Sequence, residues 1–219
     1  MLCYRGYKES GAMVQLMERI YLQCRGMGIL FWIPLIGYYI VVPSAGWILG
    51  QNPLEDREML ERVTEVSYRF IPLLSTWWMF LVHKEYIEGD GKEILYLGKS
   101  ILGLTIGFFL LNIICCFPSV LIFNRPTEQV LELFFQLTII MFLTCGMAYF
   151  LNFSLKNISV SALVTMIFCT LSVVPSDHLI QYQFLSLQGN ELWLEEGVKF
   201  IISGGIFWIF GAICSRRFE

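Results

Sequence analysis

The sequence has few charged residues for its length. Only 15% of the 219 residues are Asp, Glu, Lys or Arg, while 56% are hydrophobic. A soluble domain carries charged side chains at about 25% of its positions, so this composition excludes an ordinary soluble domain. Several apolar runs approach the ~20 residues that a helix needs to cross a bilayer. Because these runs are continuous rather than alternating, they predict an all-α, polytopic membrane bundle and not a barrel.

The sequence also lacks the local motifs of common enzymes. It contains no GxxxxGK[ST] phosphate loop, no HExxH, no GxSxG and no CxxC. His83 and His178 fall on opposite predicted sides of the membrane. Ser176, Asp177 and His178 are consecutive, whereas a catalytic triad is defined by spatial geometry and not by adjacency. We therefore predict no catalytic residue, no metal site, no cofactor bound by this chain and no nucleic-acid partner.

No carboxylate lies deep within a predicted span. Ion-coupled carriers and proton pumps usually keep an ionisable residue inside the membrane. Glu132 and Arg69 lie near the ends of their predicted spans. This absence argues against transport powered by the chain itself.

The seven cysteines predict no disulfide framework. All of them fall in predicted spans or on the predicted cytoplasmic side, and none lies in a predicted external loop. We interpret them as small apolar fillers.

The chain divides into an N-terminal region, 1–25, and a six-span transmembrane domain, 26–219. Residues 1–25 combine a cytoplasmic tail with an interfacial amphipathic helix over 12–25, in which apolar side chains recur at helical spacing. The uninterrupted apolar run of the second span covers only 70–82, which is short for a full crossing. The predicted spans are 26–49, 66–82, 101–123, 130–152, 158–174 and 198–214.

The distribution of Lys and Arg gives the predicted orientation. The inner segments of a six-span arrangement hold most of the basic residues when both termini are cytoplasmic. Residues 50–65 and the loop 176–197 are then external. We expect a multi-pass protein of the cell (plasma) membrane.

Residues 83–100, HKEYIEGDGKEILYLGKS, are the most densely charged stretch. Asp90 and Glu93 have the spacing of a helix capping box, with Asp in place of Ser or Thr. The helix that follows has an apolar side, formed by Ile94, Leu95 and Leu97. The stretch suits the docking of a soluble protein, but an ordinary solvated loop fits these residues equally well.

The whole chain resembles the permease subunits of the ABC type-2 exporter family. The similar features are the N-terminal interfacial helix, the six spans, the long external loop and an acidic E-x-x-x-G segment from Glu85 to Gly89. The charged stretch that contains it, 83–100, has Gly98-Lys99 near its end, at the start of the third span. The stretch from Gly89 to Lys99 is shorter than in the family and lacks its usual proline-containing turn.

The resemblance implies a pair of permease subunits, identical or mixed, joined to two copies of a cytoplasmic ABC ATPase that binds ATP and Mg²⁺. Residues 83–100 would act as the coupling helix, and spans two and five would line the pathway. A pathway rich in Trp and Phe suits an amphipathic or apolar substrate such as a drug, peptide or lipid. The implied ATPase-docking residues are Glu85, Glu88, Asp90, Lys92 and Glu93. The implied pathway-lining residues are Trp77, Trp78, Phe80, Thr165, Phe168 and Thr170.

Three other functions remain open from the sequence. The first is a substrate-capture membrane subunit of an importer, which has no need of a docking segment at 83–100. The second is an intramembrane enzyme, for which His178→Ala would abolish activity. The third is a membrane scaffold or sensor that transports nothing.

Overall fold

The computed structural model describes residues 2–41, 44, 56–88, 101–123, 127–171 and 193–216. In these ranges the chain is helical apart from short turns, and they contain no β-strand. The predicted all-α class is therefore confirmed for this part of the chain. Three predicted docking residues, Asp90, Lys92 and Glu93, lie outside the described residues.

The described residues form seven α-helices and two short helical turns of other types. The first helix continues into a 3-10 turn at Gly28–Trp32, and the short helix Ile33–Ile36 continues into a π-helical turn at Gly37–Val41. The α-helices are α1 (Leu2–Met27), α2 (Ile33–Ile36), α3 (Asp56–Ile87), α4 (Ile101–Phe123), α5 (Thr127–Leu155), α6 (Ile158–Leu171) and α7 (Trp193–Ser215).

Four described helical segments are long and apolar enough to cross a membrane, which indicates a membrane-embedded protein. Three of them, Ile101–Val120, Leu131–Leu155 and Gly197–Ser215, coincide with predicted spans. The fourth, Leu16–Ile40, begins ten residues before the predicted first span and includes part of the predicted interfacial helix.

The other two predicted spans correspond to α3 and α6, which are not among these four segments. The apolar run of α3 is bounded by charged residues at both ends, and α6 has only 14 residues. Helix α3 is unbroken from Asp56 to Ile87, so it extends beyond both limits predicted for the second span, 66–82. Six spans therefore stay a prediction.

The long helix α5 forms the centre of the bundle. It packs most extensively against α7 and α3, with α6 and α4 completing its surroundings. Its contact with α7 is close because glycines face it: a Cβ at Gly204 would lie 3.2 Å from the Leu143 Cα. A Cβ at Gly146 would lie 3.1 Å from the Gly204 carbonyl oxygen. Small residues at such contacts let two helix backbones approach, as in other membrane bundles.

The right-handed α-helix of the N-terminal segment ends before Gly28. Gly28 has a φ of +56°, a conformation that glycine adopts without steric cost. The 3-10 turn that follows presents carbonyl groups to α3, where Trp77 Nε1–H donates to the Leu30 carbonyl and Trp78 Nε1–H to the Phe31 carbonyl. The Phe31 ring stacks on Trp78 at 5.1 Å between centroids. The two tryptophans thus hold the N-terminal segment on the bundle.

Candidate functional site at one end of the bundle

His83 is the centre of a buried polar cluster at the end of α3. Its side chain is fully buried, although the sequence places it first in the charged segment 83–100. Its Nε2 lies 2.9 Å from Thr105 Oγ1 on α4, and its Nδ1 lies 2.9 Å from Asn152 Nδ2 on α5. The imidazole therefore connects three helices.

The partners of His83 fit one neutral tautomer. The Thr105 hydroxyl donates to the Ile101 carbonyl at 2.9 Å, so its oxygen accepts from His83 Nε2–H. The Asn152 amide donates to the unprotonated Nδ1. Burial lowers the pKa of His83 to about 3, which agrees with a neutral ring at physiological pH. Asn152 Oδ1 is buried and has no hydrogen-bond partner.

Aromatic rings and a second polar contact enclose this cluster. The His83 ring lies 4.9 Å from Phe153 and 5.2 Å from Tyr149, measured between centroids. The Tyr149 hydroxyl lies 2.7 Å from Ser215 Oγ at the end of α7, and Ser215 donates to the Ala212 carbonyl. The ends of α3, α4, α5 and α7 therefore meet around His83.

Glu88 extends these connections to α6. Its Oε1 accepts a hydrogen bond of 2.9 Å from the backbone N–H of Ile158, the first residue of α6. Asn157 caps the same helix because its Oδ1 accepts from the Val160 N–H at 3.0 Å. Lys156, with φ of +55°, makes the turn that separates α5 from α6. A carboxylate at a helix N-terminus also interacts favourably with the helix dipole.

The predicted docking residues have different surroundings in the structure. Glu88 is engaged in the cap of α6. Glu85 is exposed and lines a cavity of about 400 Å³ between α1, α3 and α4. The other three lie outside the described residues, so docking itself stays a prediction.

The predicted pathway residues do not share one surface in the structure. Trp77 and Trp78 face the N-terminal segment, and Phe80 is buried in the core around Trp78. Thr165 is buried and donates to the Ser161 carbonyl, whereas Phe168 packs on the other core cluster.

The last of these residues, Thr170, is exposed and donates to the Met166 carbonyl. Two cavities among the described residues are lined by other side chains. The arrangement within one chain does not test whether the predicted residues line a pathway between two chains.

A second polar network, which sequence reasoning missed, crosses the middle of the bundle. The Tyr38 hydroxyl donates to Asn112 Oδ1 at 3.1 Å, and Asn112 Nδ2 donates to the Ser75 and Phe108 carbonyls. Cys145 Sγ lies 3.6 Å from Ser75 Oγ. The lone Asn within the apolar run 101–123 is the signal for it, since buried amides in membranes connect helices.

The side chains of six cysteines are described, and all six are free thiols. No group of three or more His, Cys, Asp or Glu side chains that could hold a metal ion occurs among the residues searched, which are those that the structure describes.

Comparison with known proteins found no matching family model, no similar curated protein and no similar solved structure.

Proposed function

We propose that the chain is the membrane-spanning permease subunit of an ATP-driven ABC exporter that moves an amphipathic or apolar substrate. A pair of these subunits, identical or mixed, works with two copies of a cytoplasmic ATPase that bind ATP and Mg²⁺. The chain has six spans in the plasma membrane, with both termini in the cytoplasm. Residues 83–100 are the segment on which the ATPase docks.

The observation that carries this proposal is the attachment of the start of that segment to the bundle. His83 bonds to α4 and α5, and Glu88 bonds to the first residue of α6. A displacement applied beyond Glu88 is therefore transmitted to α6, the predicted fifth span, and to the ends of the other helices. Such a connection suits a rigid-body switch driven by a partner.

A second chain fits the exposed face of α6. Helix α6 packs on α3 and α5, and its opposite side carries exposed apolar residues at positions i, i+3, i+4 and i+7: Val160, Leu163, Val164 and Ile167. Because the family resemblance puts spans two and five at the axis of the pair, we assign this face to the contact between permease subunits.

The course of the N-terminal segment supports an interfacial α1. Ile20 packs against Gly107 of α4. A Cβ built at Gly107 would lie 2.7 Å from the Cδ1 of Ile20. Phe31, eleven residues later, stacks on Trp78, whose ring meets Phe108, the neighbour of Gly107. Ile20 and Phe31 are eleven residues apart in the chain but lie near the same level of α4. This placement is expected for a helix that lies oblique to the bundle.

The test reverses charges in the docking segment while sparing Glu88, because Glu88 is needed for the α6 cap. The chain carrying Asp90→Lys and Glu93→Lys is purified from native membranes in mild detergent, and the co-purified ATPase activity is measured. We expect at least a fivefold loss of bound ATPase. The matched control is Glu195→Lys with Glu196→Lys, two reversals on the predicted outer side, which leaves ATPase binding unchanged.

Equal ATPase association in both double variants would contradict docking at 83–100. Loss of ATPase in the outer-side control alone would contradict the orientation. An importer capture subunit whose energising proteins dock elsewhere would also retain its ATPase in the inner variant.

A further inference from the structure

A cavity of about 400 Å³ lies between α1, the end of α3 and the start of α4. Neither the His83 cluster nor the proposed pathway accounts for it. Its volume falls in the range of small-molecule sites, about 300–1,000 Å³. It is large enough for a polar headgroup but too small for a complete lipid.

The walls of this cavity combine two kinds of chemistry. Arg19 and Gln23 on α1 and Glu85 on α3 supply one cation, one amide and one carboxylate. Leu22, Met27 and Leu104 supply apolar surface. A ligand that complements both walls carries a negative and a positive group on an apolar body.

The surroundings of the cavity indicate that its ligand arrives from the lipid. Val14, Met17, Tyr21 and Leu22 are exposed on α1 at positions i, i+3, i+7 and i+8, on a face that also carries the exposed charged residues Glu18 and Arg25. This amphipathic face, typical of a helix at the membrane interface, reaches the cavity at Leu22. The candidate membrane segment Leu16–Ile40 includes all of these residues except Val14.

We propose that this cavity binds a phosphate–ammonium zwitterion, which in a membrane is the headgroup of a phospholipid such as phosphatidylethanolamine. The phosphate contacts Arg19 and Gln23, and the ammonium group contacts Glu85. The acyl chains leave the cavity beside Leu22 and extend along the exposed face of α1. The carboxylate of Glu85 disfavours a purely anionic headgroup, which gives the site its selectivity. Glu85 also belongs to the proposed docking segment 83–100, but lipid binding needs no ATPase and is tested on the chain alone, so the two proposals can fail separately.

The experiment titrates the delipidated full chain in detergent with defined lipids and counts the adducts by native mass spectrometry. We expect one tight phosphatidylethanolamine adduct and at least fivefold weaker binding of phosphatidylglycerol. Free phosphoethanolamine is added as a competitor. Displacement by the free compound assigns recognition to the headgroup, and no displacement shows that the acyl chains supply part of the binding.

Charge variants test the assignment of the two walls. Arg19→Gln lowers phosphatidylethanolamine affinity about tenfold, and Glu85→Gln removes the preference over phosphatidylglycerol. Glu18→Gln, which alters an exposed neighbour outside the cavity, changes neither value. Equal binding of the two lipids to the unaltered chain would overturn the proposal.

A steric variant keeps the test independent of charge. Gly26 lines the cavity, and a Cβ there meets nothing within 4 Å, so we expect Gly26→Leu to narrow the cavity while the fold tolerates its Cβ. Gly103→Leu is the matched control, since a Cβ at Gly103 also meets nothing within 4 Å and Gly103 does not line the cavity. Loss of the adduct in Gly26→Leu alone supports the site; equal adducts in both variants contradict it.

Discussion

His83 is uncharged in the folded protein. Its two ring nitrogens are hydrogen-bonded to Thr105 and Asn152, and burial lowers its pKa to about 3. In the unfolded chain the pKa is near 6.5. Below that value the unfolded state binds a proton that the folded state does not bind. The free energy of unfolding therefore falls as the pH decreases from about 6.5 towards 3, by up to about 1.4 kcal/mol per pH unit.

Thermal unfolding of the purified chain in detergent, measured between pH 8 and pH 5, checks this expectation. His83→Gln flattens the pH dependence because it removes the buried titrating ring. A His83→Gln chain with the same slope as the unaltered one would show that another group is responsible.

Trp78 contributes more to stability than its neighbour Trp77. Trp78 is fully buried, and its indole N–H lies 2.9 Å from the Phe31 carbonyl, compared with 3.3 Å from Trp77 to the Leu30 carbonyl. Trp78→Phe leaves that carbonyl without its donor, at a cost of about 1–3 kcal/mol. Trp77→Phe costs less because its side chain is half-buried. Melting temperatures of the two variants test the order, and equal losses would contradict it.

The sequence predicted poorly which polar residues are buried. Hydropathy assigns His83 to the charged segment because it follows an apolar run and precedes Lys84. Its burial depends on Thr105 and Asn152, which lie 22 and 69 residues away along the chain. Pairings at that distance leave no local pattern in one sequence, and the same holds for Tyr38 with Asn112.

Helix α6 depends for its first turn on the end of α3. Glu88→Ala removes the acceptor for the Ile158 N–H and costs about 1 kcal/mol, as for other N-terminal caps. Glu88→Gln retains a side-chain oxygen and costs less. Amide hydrogen exchange of residues 158–161 reports the loss directly. Glu85→Ala changes a residue near the end of α3 that takes no part in the cap, so we expect the exchange of residues 158–161 to stay unchanged. Faster exchange of these amides in Glu85→Ala would contradict the specific role of Glu88.

The close contact of α5 with α7 requires glycine at particular positions of α7. Gly204→Leu drives a side chain into the Phe142 ring, 2.7 Å from the new Cβ, and into the backbone of Leu143. A Cβ at Gly205, by contrast, meets nothing within 4 Å. We expect severe destabilisation, several kcal/mol, from Gly204→Leu and almost none from Gly205→Leu. Detergent size-exclusion profiles and melting curves compare them, and equal losses would contradict this packing.

Long apolar runs in the sequence predicted the positions of helices well. The predicted spans 101–123, 130–152 and 198–214 match described helices because long apolar sequences leave the chain few alternatives to helix. Helix α3 was harder to delimit, since its helical hydrogen bonds continue through charged residues at both ends. The positive φ of Gly28 was also missed, because it is a property of the folded backbone.

The whole-molecule arrangement makes a topological prediction. With six spans, residues 83–100 are cytoplasmic and residues 124–126 are external. If only the four apolar helical segments crossed the membrane, with the N-terminus again cytoplasmic, these two positions would be reversed. Lys92→Cys is therefore expected to react with a membrane-impermeant maleimide only after permeabilisation of cells, and Pro126→Cys in intact cells. The parent chain gives the background labelling of the native cysteines, and the reverse pattern would contradict six spans with cytoplasmic termini.

The central claim is that this chain works with a separate ATPase. The most direct measurement is isolation of the tagged, full-length chain from native membranes in mild detergent, followed by quantitative mass spectrometry of its partners. We expect an ATP-binding cassette subunit in equal copy number to the permease chains. Recovery of the chain alone, with no nucleotide-binding partner under conditions that keep it folded, would contradict the proposed function and favour a scaffold, a sensor or an intramembrane enzyme.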